Sequence, residues 1–210
     1  MSRRIVIVDT DATAQTPDYT TGAGVIWELS AIERDTGREH TWRLEPDIAK
    51  SDPETLAADQ YQRRATGMQK RSAADLWVDV RVGNVCDLTT RTGTPADPWL
   101  WSDPGDLAPL VGQLLEDVTL ISANPGWDTG FLDAFLTAHD WHARRWHWRT
   151  GDAGAMAWAW LQAQRRPCPP FDATVDEFAD ALGLNSDAFE PSTLGYCRMV
   201  DVMLRVLGVH

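Results

Sequence analysis

Residues 5–13 read Ile-Val-Ile-Val-Asp-Thr-Asp-Ala-Thr: four apolar, mostly β-branched residues running into two acids spaced two apart. Such a run is strand-forming, and a strand puts Asp9 and Asp11 on one face, about 6–7 Å apart at ~3.3 Å per residue. Two carboxylates at the end of a buried strand lose hydration and repel each other, a cost that a divalent cation between them relieves. Oxygen donors of this kind suit Mg²⁺ or Mn²⁺. Taken alone, an acid-x-acid triplet is short and common. It fits equally a solvated strand end with Asp11 capping a turn.

A second stretch adds weight. A short apolar strand over 118–121 leads into Ser122-Ala123-Asn124-Pro125-Gly126-Trp127-Asp128, and Phe131, Leu132, Phe135 and Leu136 follow at helical spacing. With the first stretch, this resembles the DnaQ-like (DEDD) 3′-5′ exonuclease family. There a D-x-E-T-T-G motif is followed by N-x-x-F-D and a helix bearing a Phe-Leu pair. The matching residues here are Asp9 and Asp11, then Asn124, Trp127 in place of Phe, and Asp128. The resemblance covers nearly the whole chain. It implies a ribonuclease-H-like α/β fold, with a mixed sheet built from an antiparallel three-strand meander plus parallel strands, flanked by helices. It also implies that Asp9, Asp11 and Asp128 are the catalytic metal ligands for Mg²⁺ or Mn²⁺. Thr10, Ala12, Asn124 and Trp127 take the place of substrate contacts, and the implied substrate is a single-stranded nucleic-acid 3′ end or a nucleotide.

The third motif departs from the pattern. In the histidine-bearing branch it reads approximately H-x-A-L-x-D-A-R on the last helix, and the matching stretch here is Pro191-Ser192-Thr193-Leu194-Gly195-Tyr196-Cys197-Arg198. This register puts Pro191 at the general base and Tyr196 at the fourth carboxylate. Proline takes no proton from water, and a phenol of pKa ~10 is no anionic ligand near neutral pH. A shifted register pairs Tyr196 with Asp201 instead. At ~100° per residue, Tyr196, Val200, Met203 and Leu207 form one stripe, and Asp201 lies about 140° away beside Arg198 and Arg205. Asp201 is therefore expected on the solvated face. The site is expected to be degenerate, because Asp at position 11 also reaches one methylene less far than the family's Glu.

Bulk properties bound the alternatives. The 210 residues suffice for one sizeable core and show no second-domain boundary, so a single domain over 1–210 is expected. No run of about 18 apolar residues occurs, and the first strand starts too early for a signal peptide, so no membrane partner and a cytoplasmic location are expected. Cys86, Cys168 and Cys197 are odd in number and far apart, which favours free thiols. A net charge of −12 excludes a broad duplex-gripping face. Arg63-Arg64, Lys70-Arg71, Arg144-Arg145 and Arg149 are candidates for a local basic patch, although solvated surface suits each better. Eleven tryptophans, five of them between 141 and 160, are expected mainly in the core.

Three hypotheses follow. The chain is a weakened metal-dependent exonuclease, or an inactive exonuclease-fold protein that binds a protein partner or a nucleotide. In the third, the missing groups come from elsewhere, with His139, His142 or His147 as candidates. The elements expected are strands at 4–9, 22–33, 40–44, 118–121 and 146–150. Helices are expected from Asp52, at 106–116, 153–164 and 174–182, and from Thr193 to Leu207, with loop over 88–103.

Overall fold

A computed structural model describes residues 3–58, 60–65, 76–77, 89–90, 101–142, 146–147 and 149–209. Its centre is a mixed sheet. The strands β1 (Ile5–Ala12), β2 (Ile26–Glu33) and β3 (Arg38–Leu44) form the antiparallel meander. A separate two-stranded ribbon joins β4 (Leu76–Trp77) to β5 (Thr89–Thr90). β6 (Trp101–Ser102) pairs parallel with β3, β7 (Thr119–Ser122) parallel with β1, and β8 (Gly151–Asp152) parallel with β7. The six strands of the main sheet lie in the order β6-β3-β2-β1-β7-β8. The chain is thus α/β, with a mixed sheet flanked by helices, as expected.

Seven α-helices are described: α1 (Pro53–Ala58), α2 (Tyr61–Ala65), α3 (Pro104–Leu114), α4 (Pro125–Ala138), α5 (Ala153–Ala163), α6 (Val175–Leu182) and α7 (Thr193–Val206). Most begin where a short polar side chain accepts a hydrogen bond from the first turn: Asp103, Asn124, Asp152, Thr174 and Ser192 each do so. Thr174 and Glu177 complete a reciprocal capping box, and Gly183 closes α6 in the left-handed region at φ 92°.

Alternation along β1 separates the layers. Val6, Val8 and Ala12 pack with Leu107, Val111, Phe131 and Phe135 of α3 and α4. Ile7 instead packs with Cys197, Val200 and Leu204 of α7. β2 is buried along its whole length because both of its faces are covered. Trp27 and Trp42 are buried, and Trp127, Trp141, Trp146, Trp158 and Trp160 pack half-buried against the core. Trp148 lies outside the described residues.

Several expectations shift. The helix expected from Asp52 breaks at Gln60, which takes φ 55°, so α1 and α2 are separate short helices. No strand runs from Trp146 to Thr150 among the described residues. His147 N–H donates to Val118 O at 2.7 Å, and regular pairing begins only at Gly151. Within the stretch expected as loop, Thr89–Thr90 and Trp101–Ser102 are strand. Cys168 and Cys197 are free thiols, and Cys86 lies outside the described residues. No described helix is long and apolar enough to cross a membrane.

Candidate functional site

Asp9 and Asp11 sit half-buried near the C-terminal end of β1, on the face covered by α7. Their negative charge reaches Tyr196 and Cys197 of that helix and, behind the larger effect of burial, helps raise both pKa values. Between them, Thr10 points to the opposite face and binds Asp128. Its backbone N–H donates to Asp128 Oδ1 at 2.9 Å and its hydroxyl to the same oxygen at 2.7 Å.

Asp128 lies in the first turn of α4, which follows β7 directly, so strand and helix together aim its carboxyl at β1. It is 1% exposed, and burial pushes its pKa up to about 7 against the pull of the Thr10 and Ser122 hydroxyls. Neither Asp128 Oδ2 nor Ser122 Oγ is satisfied by a well-formed hydrogen bond. Asn124, exposed, caps α4 by accepting from Trp127 N–H at 3.4 Å. The Trp127 ring lies tilted against Phe131 with centroids 4.7 Å apart, and its indole N–H donates to Thr10 O at 3.1 Å. Ala12 is fully buried in the core. Trp127 and Thr10 are thereby engaged in locking α4 against β1, and Asn124 in capping α4.

Sequence reasoning missed a buried acid. Glu28, on β2, is fully buried and stands directly opposite Asp11 on one side and Arg43 on the other. Arg43 Nε donates to it at 2.6 Å, and Thr193, the first residue of α7, donates its hydroxyl at 2.8 Å and its N–H at 3.3 Å. A second guanidinium completes the group. Arg64 of α2 is ion-paired through one nitrogen with Asp11 and through the other with Glu28, and lies 4.6 Å above the Trp27 ring. Its side chain is only 12% exposed. Burial disfavours its charge, but Asp11 and Glu28 outweigh burial and raise its pKa. Arg64, expected on a solvated basic patch, is therefore part of an internal ion-pair row. Lys70-Arg71 and Arg144-Arg145 lie outside the described residues.

Pro191 and Tyr196 line a cavity of about 350 Å³ formed with Asp176, Ser186, Asp187, Phe189, Glu190 and Met199. Pro191 is exposed at its wall, and the Tyr196 hydroxyl donates to Asp176 Oδ2 at 3.5 Å. Burial, then the charges of Asp176 and Asp9, push the Tyr196 pKa above that of free phenol, so it stays neutral.

Asp201 corrects an expectation. It is 7% exposed rather than solvated, and it pairs with Arg34 at 2.9 Å and Arg205 at 2.6 Å. Arg198 pairs with Glu39 instead. The reason is that the sheet-facing stripe of α7 runs through Cys197, Val200 and Leu204, which carries Asp201 to its buried edge. Among the histidines, His139 packs on Phe135 at 5.0 Å, His142 is exposed beside Asp140, and the His147 ring nitrogen accepts from Arg149 N–H.

As they stand, these residues do not fit a two-metal centre. Asp11 is paired with arginine, Asp128 is turned to Thr10, and Tyr196 presents a neutral phenol. Among the described residues, no group of three or more His, Cys, Asp or Glu side chains is disposed to hold a metal ion. Compared with family models and with curated proteins, the chain finds no match.

Proposed function

We propose that this chain is a DnaQ-like exonuclease-fold protein that no longer hydrolyses nucleic acid efficiently and acts through binding, with a protein partner as the favoured ligand class. The strand order β3-β2-β1-β7-β8, antiparallel on one side of β1 and parallel on the other, supports the ribonuclease-H-like assignment. The observation that carries the loss of hydrolysis is the pair Pro191 and Tyr196. One offers no base, and the other holds a neutral hydroxyl toward Asp176 where the family has a carboxylate. A net charge of −12 opposes phosphate binding unless a metal supplies positive charge, which favours a protein over a nucleic-acid partner.

The second reading is the weakened Mg²⁺- or Mn²⁺-dependent 3′-5′ exonuclease. It is favoured by Asp128, which is tied through Thr10 to the strand that bears Asp9 and Asp11.

Restoring the missing groups separates the two. In Mn²⁺, Pro191→His with Tyr196→Asp should release 3′ nucleotides from end-labelled single strands at least tenfold faster than wild-type protein. Equal rates in a folded double variant would remove the argument that these two positions silence the site.

A further inference from the structure

We propose that the protein partner is a second copy of this chain: the arm over residues 165–171 of each copy docks into the other's cavity beside Pro191 and Tyr196, about a two-fold axis. The arm follows α5 and reads Arg165-Arg166-Pro167-Cys168-Pro169-Pro170-Phe171. Its three prolines fix φ and so limit the entropy lost on docking. Phe171 is 66% exposed, the most exposed large apolar side chain among the described residues, and its ring stands edge-on to Trp158 at 5.4 Å. Arg165 and Arg166 are exposed too. Arg166 lies 5.6 Å over the Trp160 ring and donates to Ala181 O at 3.2 Å, and neither arginine pairs with a carboxylate among the described residues. An aromatic anchor with arginine beside it is the composition of an interface centre.

The cavity is its complement. Asp176 in the first turn of α6, Asp187 in the single-turn helix Ser186–Ala188, and Glu190 set three carboxylates around the apolar Phe189 and Met199. None of the three acids is ion-paired among the described residues. Arg198 feels the charge of Glu190 but is engaged with Glu39 at 2.6 Å. Burial, then the charges of Asp180, Asp187 and Glu177, raise the Asp176 pKa against the pull of the Tyr196 hydroxyl, which marks crowded negative charge. A volume of about 350 Å³ is at the small end for ligand cavities and suits a side chain from a partner. Arm and cavity flank α6, with Arg166 at Ala181 and Asp176 about 7.5 Å away along the helix at ~1.5 Å per residue. Opposite patches this close on one face become mutually facing when a second copy is turned about a two-fold axis. Two chains of net charge −12 repel each other except where a positive patch meets a negative one, so charge selects this face.

The inference rests on the reading that the chain acts through a protein partner, and its readout is self-association alone. A monomer would therefore overturn it without touching hydrolysis or the binding of another protein. Sedimentation velocity of the full chain at up to about 100 µM should show a dimer. Phe171→Ala, which removes an exposed ring and leaves the core alone, should weaken the dimer at least about tenfold. Two charge reversals complete the test, Arg165→Glu with Arg166→Glu in one chain and Asp187→Arg with Glu190→Arg in another. Each reversed chain alone should be monomeric. An equimolar mixture should regain the dimer, because the reversed arm then meets the reversed cavity and the native arm the native cavity. If a reversed chain does not fold, Phe171→Ala decides the matter. Monomeric wild-type protein overturns the inference, and so does a dimer that Phe171→Ala and the reversals leave intact.

Discussion

Two buried carboxyl groups carry the sharpest consequences at the scale of single residues. Asp128 has its pKa raised to about 7 in the folded chain, chiefly by burial, against ~3.9 when unfolded. Between those values the folded state holds a proton that the unfolded state has released. This contribution to stability is complete below pH ~4 and is lost as pH rises through about 7. Melting temperatures measured from pH 5 to 8 should fall more steeply for wild-type protein than for Asp128→Asn, whose amide oxygen still accepts from Thr10. Parallel curves would contradict the burial of this group. Asp201 behaves differently because it is ion-paired with Arg34 and Arg205. Asp201→Ala leaves the mostly buried Arg34 without its carboxylate and should cost about 3 kcal/mol by urea unfolding. A loss near zero, the outcome for a solvated residue, would show that the pair is not held. Arg205→Ala, at the exposed end of the same group, should cost about 0.5 kcal/mol.

Secondary structure was legible wherever a local signal decided it. The apolar run before Asp9, the turn at Asp35-Thr36-Gly37 and the capping residues of α3, α5, α6 and α7 all announce their elements. The pairing of Glu28 with Arg43 was available too. The hairpin aligns Glu33 with Arg38, and counting inward from that turn sets Glu28 against Arg43. What sequence could not supply was Arg64, which arrives from a separate short helix after a left-handed residue at Gln60. Alternation from Trp146 to Thr150 misled, because parallel pairing is set by the partner strand. Ile121 and Ser122 pair with Gly151 and Asp152. The stripe through Tyr196 was legible only as one side of a broader buried arc. Tyr196, Met199 and Met203 face α5 and α6, whereas Cys197, Val200 and Leu204 face the sheet. The entry to α7 has a direct test in Gly195. A Cβ there would stand 1.8 Å from Glu190 O, a backbone atom that cannot swing aside. Gly195→Ala should destabilise by at least about 2 kcal/mol or abolish folding, and an unchanged melting temperature would contradict the close packing of the Glu190 turn on the start of α7.

For the molecule as a whole, the acids Glu28, Asp11 and Asp128 at this end of the sheet are partnered from within. Arg43 and Arg64 pair with Glu28 and Asp11, Asp128 accepts both hydrogen bonds that Thr10 donates, and Tyr196 and Pro191 stand where the proposed family likeness has a carboxylate and a base. This internal settlement, together with the negative net charge, is why the account assigns binding rather than catalysis to this fold. The most direct test is incubation of wild-type protein with 3′-end-labelled single strands of DNA and RNA in Mn²⁺ and in EDTA, beside Asp9→Ala. The account predicts that strands stay intact in all three conditions at enzyme excess. Robust Mn²⁺-dependent removal of 3′ nucleotides by wild-type protein, abolished by EDTA and by Asp9→Ala, would contradict it.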